Sequence, residues 1–191
     1  LEMQRQTSKG GVSMFMSLIR KRRSIRKFKD RPVAKEKIDQ ILEAALRSPS
    51  SRGNNPWHFV VVTEKSKLEA LSRAKPHGAS FLKDAPLGIA VCADAAKSDV
   101  WVEDASIAAI MIQLAAESLE LGSCWIQFRE RMYGENRTAE GYVAEQLGFP
   151  PGLKLLAVIA IGIPDEVKKP RPSGELLRDR VHAGGFGQPY F

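Results

Sequence analysis

The chain is poor in the residues on which many enzyme chemistries rest. Its 191 residues include only two cysteines, Cys92 and Cys124, and three histidines, His58, His77 and His182. The cysteines lack CxxC spacing and stand in apolar contexts, which argues against a structural zinc site or a disulfide framework and fits a reducing cytoplasm. The histidines are scattered, so neither a metal site nor a hydrolase triad is predicted. No GxGxxG follows a strand pattern, and GxxxxGK[ST], HExxH and GxSxG are all missing. A dedicated dinucleotide domain, a P-loop and a zincin are thereby excluded. No run approaches the ~18 apolar residues of a membrane span, and the first dozen residues are polar rather than a signal-peptide core. The expectation is a soluble cytoplasmic protein that neither crosses a membrane nor is exported.

Positive charge, by contrast, is plentiful. Twenty-nine Lys and Arg outnumber twenty-two Asp and Glu, for a formal net charge of +7. That excess suits an anionic partner: nucleic acid, a membrane surface or a phosphorylated ligand. A non-enzymatic basic module that binds nucleic acid or acidic partners through the 20–31 cluster is one reading. It is the weaker one, because no aromatics interleave with the arginines and no helix-turn-helix or zinc-finger spacing is present. Residues 1–13 read as a disordered arm or a remnant of expression, with Met14 or Met16 as a natural start. Residues 14–191 read as a single domain with an extended tail from about 165, long enough to bury roughly 70% of its unfolded surface.

Periodicity supplies the elements. A short helix from Met14 ends in Arg20-Lys21-Arg22-Arg23, cations suited to a last helical turn. After Pro32, the spacing of Ile38, Ile41, Leu42, Ala45 and Leu46 predicts a helix over 33–48. Further helices are predicted over 66–74, 100–121 and 138–147, and strands over 58–63, 87–93, 123–128 and 153–163. Gly122 is placed as the left-handed residue closing the helix over 100–121. That helix is apolar nearly all round between Ala105 and Ala116, so it must be covered on most sides, either inside one subunit or by a second copy.

Two segments are candidates for binding. Arg22-Arg23-Ser24-Ile25-Arg26 gathers three guanidinium groups and a hydroxyl within five residues, and arginine grips phosphate with paired, charge-assisted hydrogen bonds. Pro49-Ser50-Ser51-Arg52-Gly53-Asn54-Asn55-Pro56-Trp57 packs hydroxyls and amides into a loop just before a core strand, where binding groups often gather. A solvated basic edge and a plain structural turn are the corresponding uneventful readings. Together the two would suit a ligand with phosphate at one end and a flat polar heterocycle at the other.

The order RRSIRKF, SPSSRGNNPWHFVVV, an all-apolar helix opening at Trp101-Val102-Glu103-Asp104 and closing as LGSCWIQ, and finally AVIAIGIP resembles the nitroreductase family of FMN-dependent oxidoreductases from Leu18 to about Arg171. The resemblance implies an α+β fold, with a central, mainly antiparallel sheet flanked by helices. It also implies an intertwined homodimer with FMN at the interface. It implies NAD(P)H as a transient donor, a small-molecule acceptor such as a nitroaromatic, quinone or enone, and ping-pong turnover with hydride at the flavin N5. A different task on the same cofactor, such as dehalogenation, is the alternative within the family.

Carried over residue by residue, Arg22, Arg23 and Ser24 match the phosphate and ribityl motif, and Arg26 the basic position near the flavin N1. Ser50, Ser51 and Asn55 match the loop bordering the ring. That loop usually has Asn where this chain has Gly53 and often Gln where it has Asn55, and Asn54 stands beside both. Trp125, Ile126 and Gln127 match the segment beside N5, and Lys169 and Arg171 the late basic pair of the phosphate site. No protein acid or base is assigned, because the cofactor carries the chemistry.

Overall fold

The computed structural model describes residues 13–191, so the predicted arm lies, but for Ser13, outside the described residues. Two compact units are present, one comprising 22–168 and the other the described residues up to 21 together with 169–191. The smaller unit holds helix α1 (Met14–Lys21) and a tail whose regular structure is limited to two short 3₁₀ turns and a His182–Pro189 bridge.

The larger unit is built on a four-stranded, wholly antiparallel sheet of order β1-β2-β4-β3, with β1 at Trp57–Val62, β2 at Leu87–Asp94, β3 at Gly122–Gln127 and β4 at Leu153–Gly162. β2 and β4 are central and apolar without alternation because both faces are covered. One face packs Ala90 and Cys92, on the same side as Gly88, with Val158 and Ala160, against α3 (Lys65–Ser72), the 3₁₀ turn Ser80–Asp84 and α5 (Ala139–Leu147). The other sets Leu87, Ile89, Val91, Ile159 and Ile161 against α2 (Lys35–Leu46) and α4 (Trp101–Ser118). Elements expected from the periodicity therefore form close to their predicted bounds.

Two local features bear on the site. The left-handed residue after α4 is Glu120, with φ 62°, not Gly122, which instead opens β3. Glycine is required there for space: a Cβ on Gly122 would lie 2.8 Å from the Cβ of Ile25. In β4, Leu156 is an extra residue, since Val91 pairs with Ala157 while Cys92 pairs with Leu155. The bulged Leu156 carbonyl accepts the N–H groups of both Phe128 and Arg129, at 3.3 and 3.1 Å. Pairing of β3 ends at that point, and the chain leaves as the 129–138 loop. No described helix is long and apolar enough to cross a membrane.

Candidate functional site

The basic segment is stitched to the open edge of β3 and across the end of β4. Ser24 forms a parallel bridge with Ser123, and the Ile25 N–H donates to the Ser123 carbonyl at 3.0 Å. Phe28 bridges Pro164, the Lys29 N–H donates to Ile163, and the Asp165 N–H donates to Lys27, both at 2.9 Å. Ile25 and Phe28 point into the core, leaving Arg26 and Lys27 exposed. The Arg26 and Lys27 N–H groups donate instead to Oε1 of Glu166, at 2.5 and 3.2 Å. Lys168 lies 3.3 Å from the same carboxylate and donates to the Ser24 carbonyl at 2.7 Å. The Arg26 N–H, followed by Lys168 and the Lys27 N–H, holds the Glu166 carboxyl below its ordinary pKa against some burial.

Cys124 is buried on β3, and its thiol feels Arg26, Ser24, Lys168 and Arg22. Burial raises that thiol's pKa, and the four groups work in the opposite direction. Burial likewise raises the pKa of Cys92, and both cysteines are free. The Arg26 guanidinium sits 5.8 Å from the Phe81 ring, and no carboxylate of the 22–168 unit forms an ion pair with Arg22 or Arg26.

Farther along β3, the Trp125 indole N–H donates to Oε1 of Gln127 at 2.9 Å, and Nε2 of Gln127 donates to the Arg129 carbonyl at 3.0 Å. Both ends of the Gln127 amide are therefore engaged. Ile126 is fully buried, so only its backbone faces the edge. Lys75, which the sequence reading does not single out, donates to the Gln127 carbonyl at 2.8 Å. Lys75, Glu166 and Lys168 are the additions the geometry makes; the two consecutive lysines after GIPDE were the available signal for Lys168, and Lys75 had none. Lys169 and Arg171 fall in the other compact unit.

The amide loop is built differently. The Ser51 N–H donates to Oδ1 of Asp104 and the Ser98 hydroxyl to Oδ2, both at 2.7 Å, so a buried carboxylate at the start of α4 holds the loop's base. Ser50 Oγ lies 2.8 Å from Oδ1 of Asn55 and accepts the Asn55 N–H at 2.9 Å. Arg52, Gly53 and Asn55 take positive φ values, with Asn54 exposed between the last two. The indole N–H of Trp57 is buried without a hydrogen-bond partner.

One chain does not bring the two segments together. Ser123 pairs with Ile161, whereas Trp57 pairs with Ala93, which in turn pairs with Lys154. Seven residues along a strand and three strand spacings put these corners about 27 Å apart. The sequence reading had joined them around one ligand; within a single sheet they are diagonal opposites.

An antiparallel sheet thus lies between two helical layers with a basic segment along its edge strand, and no group of His, Cys, Asp or Glu among the described residues is placed to hold a metal ion. The family model described as "Nitroreductase family" matches residues 19–79 and 67–163. An FMN-dependent nitroreductase from Clostridium difficile R20291 superposes with a TM-score of 0.88 at 50% identity, covering 90% of this chain and 99% of that one. A Methanothermobacter thermautotrophicus protein with the provisional name NADH dehydrogenase/NAD(P)H nitroreductase is 39% identical over 170 residues, 87% of this chain and 85% of its own length. An FMN reductase [NAD(P)H] from Bacillus subtilis is 30% identical over 172 residues, 78% of this chain and 66% of its own. The chain belongs to the nitroreductase family.

Proposed function

We propose that this protein is a cytoplasmic, FMN-dependent NAD(P)H oxidoreductase acting as a homodimer on nitroaromatic, quinone or enone acceptors. The observation that carries the reading is the placement of two built half-sites at opposite corners of one sheet. A two-fold-related copy would set the loop of one chain against the clamp of the other. A stripe on α4 supports such pairing: Ile107 and Ile110 are exposed and Met111 and Leu114 half-buried, at the spacing of one helix face.

The residues present fit FMN. Arg22 and Ser24 lie on the segment paired to β3, Lys168 donates to the Ser24 carbonyl, and Arg22 has no carboxylate partner in its unit, as suits a dianionic phosphate. Arg23 completes the expected basic set within the 22–168 unit. When bound, FMN supplies hydride acceptance and release at N5. Arg26 lends a fixed positive charge to the pyrimidine edge, which stabilises negative charge that builds there. Trp125, Ile126 and Gln127 form the wall beside the ring, and the doubly bonded Gln127 amide keeps that wall uncharged and rigid. Ser50, Ser51, Asn54 and Asn55, contributed by the second copy, border the ring from the other side. With no dinucleotide motif, donor and acceptor would take turns at the same open pocket.

Light scattering coupled to size exclusion, with the visible spectrum of the same peak, tests this. The wild type is expected to run as a dimer with a flavin spectrum that bleaches anaerobically on adding NADH or NADPH. Ile110→Glu is expected to give a folded monomer that takes up no FMN. A monomer that binds FMN at full affinity would overturn the shared-site reading.

A further inference from the structure

Lys75 is poorly explained as a structural lysine. It lies half-buried between α3 and the 3₁₀ turn Ser80–Asp84, with one hydrogen bond, to the Gln127 carbonyl, and its Nζ 5.6 Å from the centre of the Phe128 ring. No carboxylate of the 22–168 unit pairs with it. Its burial and the neighbouring Arg131 both lower its pKa. Arg131 has no carboxylate either: its Nη1 donates to the Glu130 carbonyl, while the Glu130 carboxylate is held by Arg129 at 2.7 Å.

Arg131 is also fixed in place. Its N–H donates to the Phe128 carbonyl and its own carbonyl accepts the Ala139 N–H at the start of α5, at 3.1 and 2.8 Å. Two cations thus lie at the end of β3, Lys75 on the Gln127 carbonyl and the Arg131 backbone on that of Phe128, one of them partly desolvated and neither paired with a carboxylate of the 22–168 unit. Such a pair is unfavourable until an anion arrives. Along β3 it lies beyond Arg22, Ser24 and Lys168, which have their own expected phosphate, and beside the wall assigned to the reacting end of the ring.

We infer that Lys75 and Arg131 form an anion-selecting rim at the Gln127 end of the site, and that a visiting substrate carries a carboxylate or phosphate there. The inference rests on the placement of FMN along Trp125–Gln127 given above. The anion belongs either to the acceptor or to the nicotinamide donor, and the two sources are separable.

The test uses FMN-loaded wild type, Lys75→Met, Lys75→Arg and Arg131→Gln at fixed ionic strength. Acceptor selectivity is read as kcat/KM for 4-nitrobenzoate against its methyl ester, donor selectivity as NADPH against NADH, and direct binding as the benzoate-induced change in the flavin spectrum. Losing one charge-assisted contact is expected to lower the preference for the charged member about ten- to hundredfold in Lys75→Met. A smaller loss is expected in Arg131→Gln and near-retention in Lys75→Arg. Movement of the acceptor ratio with weaker benzoate binding assigns the anion to the acceptor; movement of the donor ratio alone assigns it to the donor. Flat ratios and unchanged benzoate affinity in both Lys75→Met and Arg131→Gln overturn the rim while leaving the proposed function standing. Failure of the wild type to take up FMN overturns both.

Discussion

The Ser50–Asn55 corner and the Arg22–Lys29 corner are held by opposite electrostatic devices. At the loop, a buried carboxylate, Asp104, absorbs the Ser51 N–H and the Ser98 hydroxyl, and Ser50 closes back on Asn55. At the clamp the carboxylate, Glu166, binds backbone N–H groups and Lys168, leaving the Arg22 and Arg26 side chains without an acid of their unit. The loop is complete as it stands and supplies shape. The clamp is complete only with a counter-anion and supplies affinity. A shared site divides these duties between two copies, so the two corners should fail differently when broken.

The largest effect is expected at the clamp. Arg22→Ala with Arg26→Ala should weaken FMN binding by roughly 10²- to 10⁴-fold, the loss of two charge-assisted contacts. Because both arginines lie on a surface edge, the melting temperature of the cofactor-free protein should barely move. Flavin fluorescence titration and calorimetry read the two quantities, and unchanged affinity would remove the clamp assignment.

Asp104→Ala should reverse that pattern. It strands the Ser51 N–H and the Ser98 hydroxyl, costing about 1.5–3 kcal/mol, which corresponds to a fall in melting temperature of roughly 3–12 °C for a chain of this size. Its effect on FMN affinity should be smaller than that of the arginine pair. Gly122→Ala connects the two tests: the added methyl meets Ile25, so about 1–3 kcal/mol of overpacking strain should appear together with a shifted clamp and weaker FMN uptake.

The smallest effect concerns pH. The folded-state pKa of Glu166 is lowered, so its contribution is complete above the ordinary value of 4.5 and is lost as pH falls through the lower folded value. The stability difference between wild type and Glu166→Gln should therefore be constant near neutrality and shrink below pH 4.5. A difference that grows on acidification would show that Glu166 does not brace the Arg26–Lys27 backbone.

Most of the fold was legible because its signals are local. The unbroken apolar runs of β2 and β4 announce strands covered on both faces, and Gly148, with φ 67°, ends α5 where expected. Gly122 misled for an instructive reason. Glycine serves both left-handed turns and close packing, and only the crossing of Ile25, nearly a hundred residues earlier, says which applies. The candidate residues were found as segments, but their mutual placement was not, because strand order and register decide which corner each occupies. Glu166 and Lys75 act through backbone groups distant in sequence, and no motif at their own positions reports that.

The bulge at Leu156 carries one more consequence. Since a single carbonyl takes the donors of both Phe128 and Arg129, the sheet's hydrogen bonding is finished before residue 130, and α5 begins afresh with the Thr138 hydroxyl accepting the Gly141 N–H. The stretch from 130 to 137 is tied instead to itself and to α5: Met132 bridges Thr138, the Tyr133 and Gly134 N–H groups donate to the Arg137 carbonyl, and the Arg131 carbonyl accepts the Ala139 N–H. Directed evolution of the pocket could vary exposed side chains at that seam, while the bonds to α5 hold its length fixed.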